Sequence, residues 1–125
     1  MKTKILFAVQ ILVGILLLVF GLNKFLHFMA NLPVSEEMGM FMMALAKTGY
    51  IFPIVGAIQV LSGLSFILNK FTALMAVVIV PVMLNAVLAH AFLDPSGIAG
   101  SLVILILVIV VMFKNKEAYS LVLKA

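Results

Sequence analysis

The chain contains no cysteine, and its eight basic residues are all lysine. Without cysteine it cannot carry out thiol–disulfide exchange, ligate zinc or an iron–sulfur cluster through thiolates, or use a cysteine nucleophile. Without arginine it lacks the forked guanidinium groups on which nucleic-acid-binding surfaces usually rely, and its lysines are scattered along the chain. These absences exclude the cysteine-based enzyme classes and argue against nucleic acid as a partner.

Charge is also scarce. Of 125 residues, 10% are charged and 66% are hydrophobic, whereas soluble domains are about half apolar and about a quarter charged. A water-soluble domain of this length cannot bury so much apolar surface, so lipid must be the solvent for much of the chain. We therefore predict a single membrane domain, residues 1–125, with the lipid bilayer as its first partner.

Four apolar stretches are long enough, or nearly so, to cross a bilayer. About 20 residues are required, because about 30 Å of hydrocarbon is crossed at about 1.5 Å per residue. The stretches lie at residues 5–22, 51–68, 71–93 and 98–113. The first is longer than a typical signal-peptide core and no A-x-A site follows it, so we interpret it as a span. The sequence predicts an all-α integral membrane four-helix bundle.

The connections between the predicted spans differ in kind. Asn69-Lys70 and the Asp94–Gly97 segment are short turns, which force neighbouring helices to run antiparallel. In the second turn Pro95 cannot continue the helix, and Gly97 permits a positive φ. The connection between spans one and two is much longer and contains a further predicted element.

That element is a short helix over residues 36–46. Ser35 is typical of an N-cap, and Glu36 and Glu37 then lie where the helix dipole favours negative charge. Apolar residues recur with helical spacing at Met38, Phe41, Met42 and Leu45. Because about eleven residues cannot span a bilayer, we expect an interfacial or re-entrant helix packed against the bundle.

Lysine distribution predicts the orientation of the bundle. Six lysines lie on the side of the bundle that holds both termini, and two lie on the opposite side. Lysine is enriched in cytoplasmic loops, so we expect both termini in the cytoplasm.

Five polar side chains lie in the outward half of the bundle, and a polar group facing lipid there is costly. Lys24 follows span one, and Gln59 lies near the middle of span two. His90 and Asp94 are four residues apart at the end of span three and so share a helical face, with Asn85 deeper in the same span. We predict that they can form one polar pocket, with His90 as proton carrier or hydrogen-bond donor, Asp94 orienting it and Lys24 contacting an anion.

The same side chains also have a purely structural interpretation. Histidine and lysine near helix ends often anchor the membrane interface, and asparagine and glutamine often bridge helices. No residue spacing is diagnostic of a metal site. No nucleotide-binding loop or catalytic triad is present either, so catalytic residues stay unassigned, no cofactor is evident, and a non-catalytic protein is favoured.

Three segments resemble the DoxX family of membrane proteins. The end of span one, Phe20-Gly21-Leu22-Asn23-Lys24-Phe25, resembles that family's G-x-x-K helix end. Span two, from Gly56 through Gln59 to Gly63-Leu64, resembles its G-x-x-E-x-x-x-G-L segment. Asn85-Ala86-x-x-x-His90 resembles its A-x-x-x-H ending. The resemblance covers nearly the whole chain, in order and spacing.

The resemblance implies a four-span protein of the bacterial inner membrane. Relatives are linked to membrane oxidoreductase assemblies, and the related DoxD type to thiosulfate oxidation with quinone as acceptor. Gln59 departs from the pattern, because it stands where the family often has a titratable glutamate. We therefore expect an accessory or non-catalytic subunit, with membrane or oxidoreductase subunits or further copies of the chain as partners. The alternatives are a quinone-linked redox subunit and a small solute carrier or channel.

Overall fold

A computed structural model describes residues 2–28 and 33–124. These residues form five α-helices and no strand, which confirms the all-α prediction. The helices are α1 (Lys2–Leu26), α2 (Glu36–Lys47), α3 (Ile51–Leu68), α4 (Thr72–Leu93) and α5 (Ile98–Lys114), with short 3-10 helices at Pro95–Gly97 and Lys116–Tyr119. Residues 29–32, in the long connection predicted between spans one and two, lie outside the described part.

The four long helices correspond to the four predicted spans. α1, α3, α4 and the segment Pro95–Lys114 are each long and apolar enough to cross a membrane, which indicates a multi-pass helical membrane protein. α3 has the predicted bounds, whereas α1 extends beyond the apolar run 5–22 at both ends. Helical hydrogen bonds satisfy the backbone beyond the point where the apolar run stops. As a result Lys24 lies within the last turn of α1.

The long helices form a ring of antiparallel neighbours. α1 contacts α3 and α5, and α4 also contacts α3 and α5, which gives the order α1–α3–α4–α5 around the bundle. One end, here called the terminal end, holds the start of α1, the α3–α4 turn and the end of α5. The opposite end, here called the α2 end, holds the short helix α2, which contacts α3 and α4.

Large apolar side chains cover the outside of this ring. Leu12, Leu61, Leu74 and Ile106, one from each long helix, are between 50% and 60% exposed. The fully buried apolar residues lie from the terminal end to the middle of the bundle: Val13, Leu17, Phe66, Ala76, Ile79, Val108 and Val111. An apolar exterior of this kind suits lipid as the surrounding solvent.

Two pairs of glycines bring α1 and α3 into close contact. A Cβ on Gly63 would lie 2.7 Å from the carbonyl oxygen of Gly14, and a Cβ on Gly21 would lie 2.9 Å from that of Gly56. Within each helix the two glycines are seven residues apart, so the same face of each helix meets its neighbour twice. Small residues allow such close backbone approach in membrane helices.

The short helix α2 confirms the predicted element at residues 36–46. The Ser35 side chain accepts a hydrogen bond from the Met38 amide at 3.1 Å, as expected for an N-cap. Met38 is buried, and the helix ends at Lys47, two residues before Gly49 with φ of 77°. At twelve residues α2 is too short to cross a bilayer.

The two turns close in different ways. Asn69 and Phe71 both adopt left-handed backbone conformations in the α3–α4 turn. Gly97 in the α4–α5 turn does not, since its φ is −99°. The expectation that Gly97 supplies a positive φ is therefore wrong, and a side-chain contact described below explains why a glycine is needed there.

Candidate functional site

Lys24 points into the bundle. Side chains on a helix lean toward its N-terminus, so a lysine in the last turn of α1 is directed back along the span. Its Nζ donates a hydrogen bond to Gln59 Oε1 at 2.7 Å. Gln59 is only 7% exposed and lies eight residues into α3, about 12 Å along its axis. The pair links α1 to α3 below the α2 end.

The α1–α3 glycines make room for this pair. A Cβ on Gly56 would lie 3.1 Å from the Cβ of Lys24, and one on Gly21 would lie 2.9 Å from the Cβ of Gln59. Any larger residue at either position would therefore press on the base of one partner. The glycine contact holds the two polar side chains at hydrogen-bonding distance.

No carboxylate of the described residues forms an ion pair with Lys24. The chain has four acidic residues in all. Glu36 and Glu37 are exposed on the first turn of α2, and Glu117 lies beyond α5 at the terminal end. The fourth, Asp94, is engaged elsewhere. The ammonium group thus has a neutral amide as its partner.

Two cavities lie on either side of the Lys24–Gln59 pair. Cavity A, of about 680 Å³, lies beneath α2 and between α3 and α4. Cavity B, of about 840 Å³, lies between α1, α4, the α4–α5 turn and α5. Both are partly open to the outside. The residues that line both cavities are Lys24, Gln59, Met83, Ala86 and His90.

Cavity A is lined mostly by apolar residues. Met38, Phe41, Met42 and Leu45, the apolar face predicted for the short helix, line it from above. α3 and α4 contribute further apolar walls. Its four polar lining residues are Lys24, Gln59, Asn85 and His90.

Asn85 differs from its expected role. A polar amide in a span was expected to turn inward and bond to a neighbouring helix. Asn85 is instead exposed, and no described residue forms a hydrogen bond with its side chain. Asn85 nevertheless lines cavity A, which is partly open, so a lining residue there need not be buried. It contributes an amide group with which no other described side chain forms a hydrogen bond.

His90 rests against Gly97. A Cβ on Gly97 would lie 2.7 Å from both Cε1 and Nδ1 of the imidazole ring. Glycine at this position therefore leaves room for the imidazole ring in its observed place, and its backbone conformation does not call for glycine. The contact fixes the side of the ring that faces the turn, while other parts of His90 line both cavities.

Asp94 does not orient His90 through its carboxylate, which corrects the predicted role. The His90 Nδ1 atom is 3.4 Å from the backbone oxygen of Asp94. The carboxylate itself accepts hydrogen bonds from the Ser96 hydroxyl at 2.5 Å and from the Ser35 amide at 3.1 Å. Ser96 follows Asp94 by two residues in the turn and reaches its carboxylate, whereas His90 lies one helical turn back in α4.

The Asp94 contacts fasten α2 to the bundle. Ser35 also donates from its hydroxyl to the backbone oxygen of Leu93 at 2.5 Å. The hydrogen bonds from the Ser96 hydroxyl and the Ser35 amide hold the pKa of Asp94 below its usual value. Asp94 is thus an ionised anchor for the start of α2. It lines cavity B and does not line cavity A.

The structure therefore brings four predicted residues, Lys24, Gln59, Asn85 and His90, to the wall of cavity A. It places Asp94 on cavity B with a structural role. Sequence reasoning missed Gly97 and the shared lining residues Met83 and Ala86. The A-x-x-x-H spacing could have drawn attention to Ala86, since residues four apart share a helical face.

The chemistry available to this arrangement is binding and proton exchange. Lys24 supplies donors, Gln59 and Asn85 supply amides, and His90 supplies an imidazole that can donate or accept. Among the described residues no group of three histidine or acidic side chains is placed to hold a metal ion.

Comparisons with known proteins add no assignment to this geometry. No family model matches the chain, and no curated protein or solved structure matches it significantly.

Proposed function

We propose that the chain is an accessory membrane protein that binds a lipid-soluble molecule in cavity A. The observation that carries the proposal is the position of Lys24, an ammonium group held between helices with an amide as its described partner, at one side of an apolar cavity. Such a site holds the apolar body of a ligand in the cavity and orients its polar end by a few fixed groups.

The size of the cavity supports this function. Small-molecule sites are usually about 300–1,000 Å³ and mostly apolar, with a small number of placed polar groups. Cavity A has about 680 Å³ and four polar residues among its lining. Its position next to lipid-exposed helices allows a ligand to enter from the bilayer.

The resemblance to the DoxX family supports an accessory role in a bacterial inner-membrane assembly. The chain has no cysteine, and Gln59 replaces the glutamate that the family often has. A quinone-linked redox subunit is the second candidate, because the donors Lys24 and His90 at one side of an apolar cavity also suit a quinone carbonyl.

Native purification in mild detergent, followed by mass spectrometry of lipids and proteins, tests this function. We expect a bound lipid-soluble molecule with the wild-type protein and less of it with Lys24→Met. Lys47→Met is the matched control, since Lys47 is exposed on α2 and lines neither cavity. Equal recovery from all three proteins would contradict a cavity ligand. A recovered quinone would favour the redox candidate.

We also propose that both termini are cytoplasmic, because six lysines lie at the terminal end and two lie at the α2 end. A reporter fused after Ala125 and a second inserted in the turn around Gly49 should report opposite sides. A C-terminal reporter on the outer side would overturn the proposed orientation.

A further inference from the structure

The charge on Lys24 is what distinguishes cavity A from an ordinary apolar pocket. A cation within the span of a membrane helix is costly unless something compensates it. Its described partner is the neutral Gln59 oxygen, and no described carboxylate forms an ion pair with it. The end of α1 supplies only a partial negative charge. The site therefore has one uncompensated positive charge.

The other polar groups of cavity A are arranged around the same charge. Asn85 has no described hydrogen-bond partner and His90 has only a 3.4 Å contact to a backbone oxygen. Both can donate hydrogen bonds to oxygen atoms. Lys24, Asn85 and His90 together form a set of donors on the wall of one cavity.

Cavity A suits an anion better than cavity B. Asp94 lines cavity B and not cavity A, and the hydrogen bonds that it accepts keep its carboxylate ionised. A second anion in cavity B would meet this negative charge, and like charges repel. Glu36 and Glu37 do not line cavity A. The charges of the lining residues therefore favour an anion in cavity A over one in cavity B.

The apolar walls of cavity A indicate what kind of molecule carries the anion. α2 contributes Met38, Phe41, Met42 and Leu45, and the start of α3 contributes Ile51 and Phe52. A small inorganic anion would leave these walls without contacts. A hydrocarbon chain would fill them and gain about 0.8 kcal/mol for each CH₂ that it removes from water.

We infer that cavity A binds a long-chain amphiphile with an anionic head group, with Lys24 on the head and α2 over the chain. The inference rests on the proposed ligand-binding function and names its ligand class. A fatty carboxylate and a lipid phosphate share this chemistry. The donors Asn85 and His90 contact further oxygen atoms of either head group.

A photolabelling competition tests the inference. The protein is reconstituted in nanodiscs of zwitterionic phosphatidylcholine at mildly alkaline pH and labelled with a long-chain fatty acid that carries a diazirine in its chain. Oleic acid, its methyl ester and lysophosphatidic acid then compete with the label. Mass spectrometry locates the labelled peptides.

We expect labelling in α2 and α4 that oleic acid or lysophosphatidic acid suppresses at a concentration about tenfold lower than methyl oleate, which corresponds to about 1.4 kcal/mol. Whichever of the two acids competes better identifies the head group as carboxylate or phosphate. Lys24→Met should remove the advantage of the acids over the ester. Lys47→Met, which removes an equal charge from the same end, should preserve it.

The wild-type comparison needs no variant, so a poorly folded Lys24→Met protein does not compromise the test. Equal competition by acid and ester in the wild-type protein would overturn the anionic head group and leave the proposed function standing. Labelling confined to the lipid-facing surface, with no competition by any of the three, would overturn both.

Discussion

The half of the bundle at the terminal end and the half at the α2 end, here called the terminal half and the α2 half, accommodate a polar side chain in opposite ways. Each half contains a glutamine within a span. In the terminal half Gln10 is fully buried and donates to the Phe66 backbone oxygen at 2.9 Å and to Asn69 Oδ1 at 3.0 Å. In the α2 half Gln59 pairs with Lys24 and faces two cavities. The first glutamine closes a turn, whereas the second borders open space.

The packing around the two glutamines follows the same division. The terminal half contains most of the fully buried apolar residues, and the backbones of α1 and α3 are in contact there at Gly14 and Gly63. The α2 half keeps a glycine contact at Gly21 and Gly56, yet α4 and α2 leave cavities around it. Close packing and open space therefore belong to different halves, and substitutions in the two halves should differ in their effects.

The largest expected effect on stability is at Gly63. A Cβ there would meet the Gly14 oxygen and the Leu18 nitrogen, each at 2.7 Å, and backbone atoms cannot move aside without separating the helices. We expect Gly63→Ala to lower the free energy of unfolding by about 1–3 kcal/mol, as overpacking does. Thermal unfolding in mild detergent measures it.

Gly100→Ala is the matched control for Gly63. A Cβ on Gly100 meets nothing within 4 Å, and alanine is favoured over glycine in a helix by about 0.5–1 kcal/mol. Gly100→Ala should therefore leave stability unchanged or raise it slightly. Equal destabilisation by both substitutions would show that the α1–α3 contact has no special importance.

The two glutamines should differ when each is replaced by leucine. Gln10→Leu removes two interhelical hydrogen bonds at about 0.6 kcal/mol each, so we expect a loss of about 1 kcal/mol. Gln59→Leu should cost less, because it removes one interhelical hydrogen bond and Gln10→Leu removes two. Chemical unfolding of the two variants compares them. A larger loss for Gln59→Leu would reverse the division between the halves.

Gly97→Ala should change the environment of His90 with little change in stability. The new methyl group meets the His90 ring, a side-chain end that can rotate away, so the cost should stay within about 0.5 kcal/mol. NMR of the imidazole nitrogens should then show a changed environment for His90 and not for the exposed His27. An unchanged His90 signal would mean that the ring does not rest on Gly97 in the membrane.

The smallest effect is the pH dependence of the α2 anchor. The pKa of Asp94 is lower in the folded protein than its usual 3.8, so this stabilisation is present above that value and is lost as the pH falls through the folded pKa. Hydrogen exchange of the α2 amides should therefore accelerate in strong acid. Asp94→Asn should remove this pH dependence, and an acid response retained by that variant would assign it to another group.

Much of the fold was predictable because its signals are local. The length of an apolar run determines whether a helix can cross a bilayer, and the bounds 51–68 coincide with α3. The Ser35 cap and the helical spacing that begins at Met38 predicted α2, because both involve residues within one or two turns. The ends of α1 were less predictable, since a helix continues past the apolar residues when no glycine or proline stops it.

The candidate site was predictable only as a set of residue types at similar depth. Polar groups facing lipid are costly, and this argument singled out the four polar residues that line cavity A. It did not assign Asp94 correctly, because the partner that its carboxylate meets depends on how the turn folds. It also did not identify the contact of Gly97 with His90, because the space beside Gly97 depends on how the α4–α5 turn folds back against the His90 ring.

The sequence by itself determined that this is a helical membrane protein with four spans and a short fifth helix, because apolar length and capping act over a few residues. Only the tertiary structure decided that Lys24 meets Gln59, 35 residues away, and that His90 rests on Gly97. Those contacts depend on how far each helix is rotated and how closely two backbones approach. Rotation and approach are set by packing among all the helices together, and no single segment contains that information.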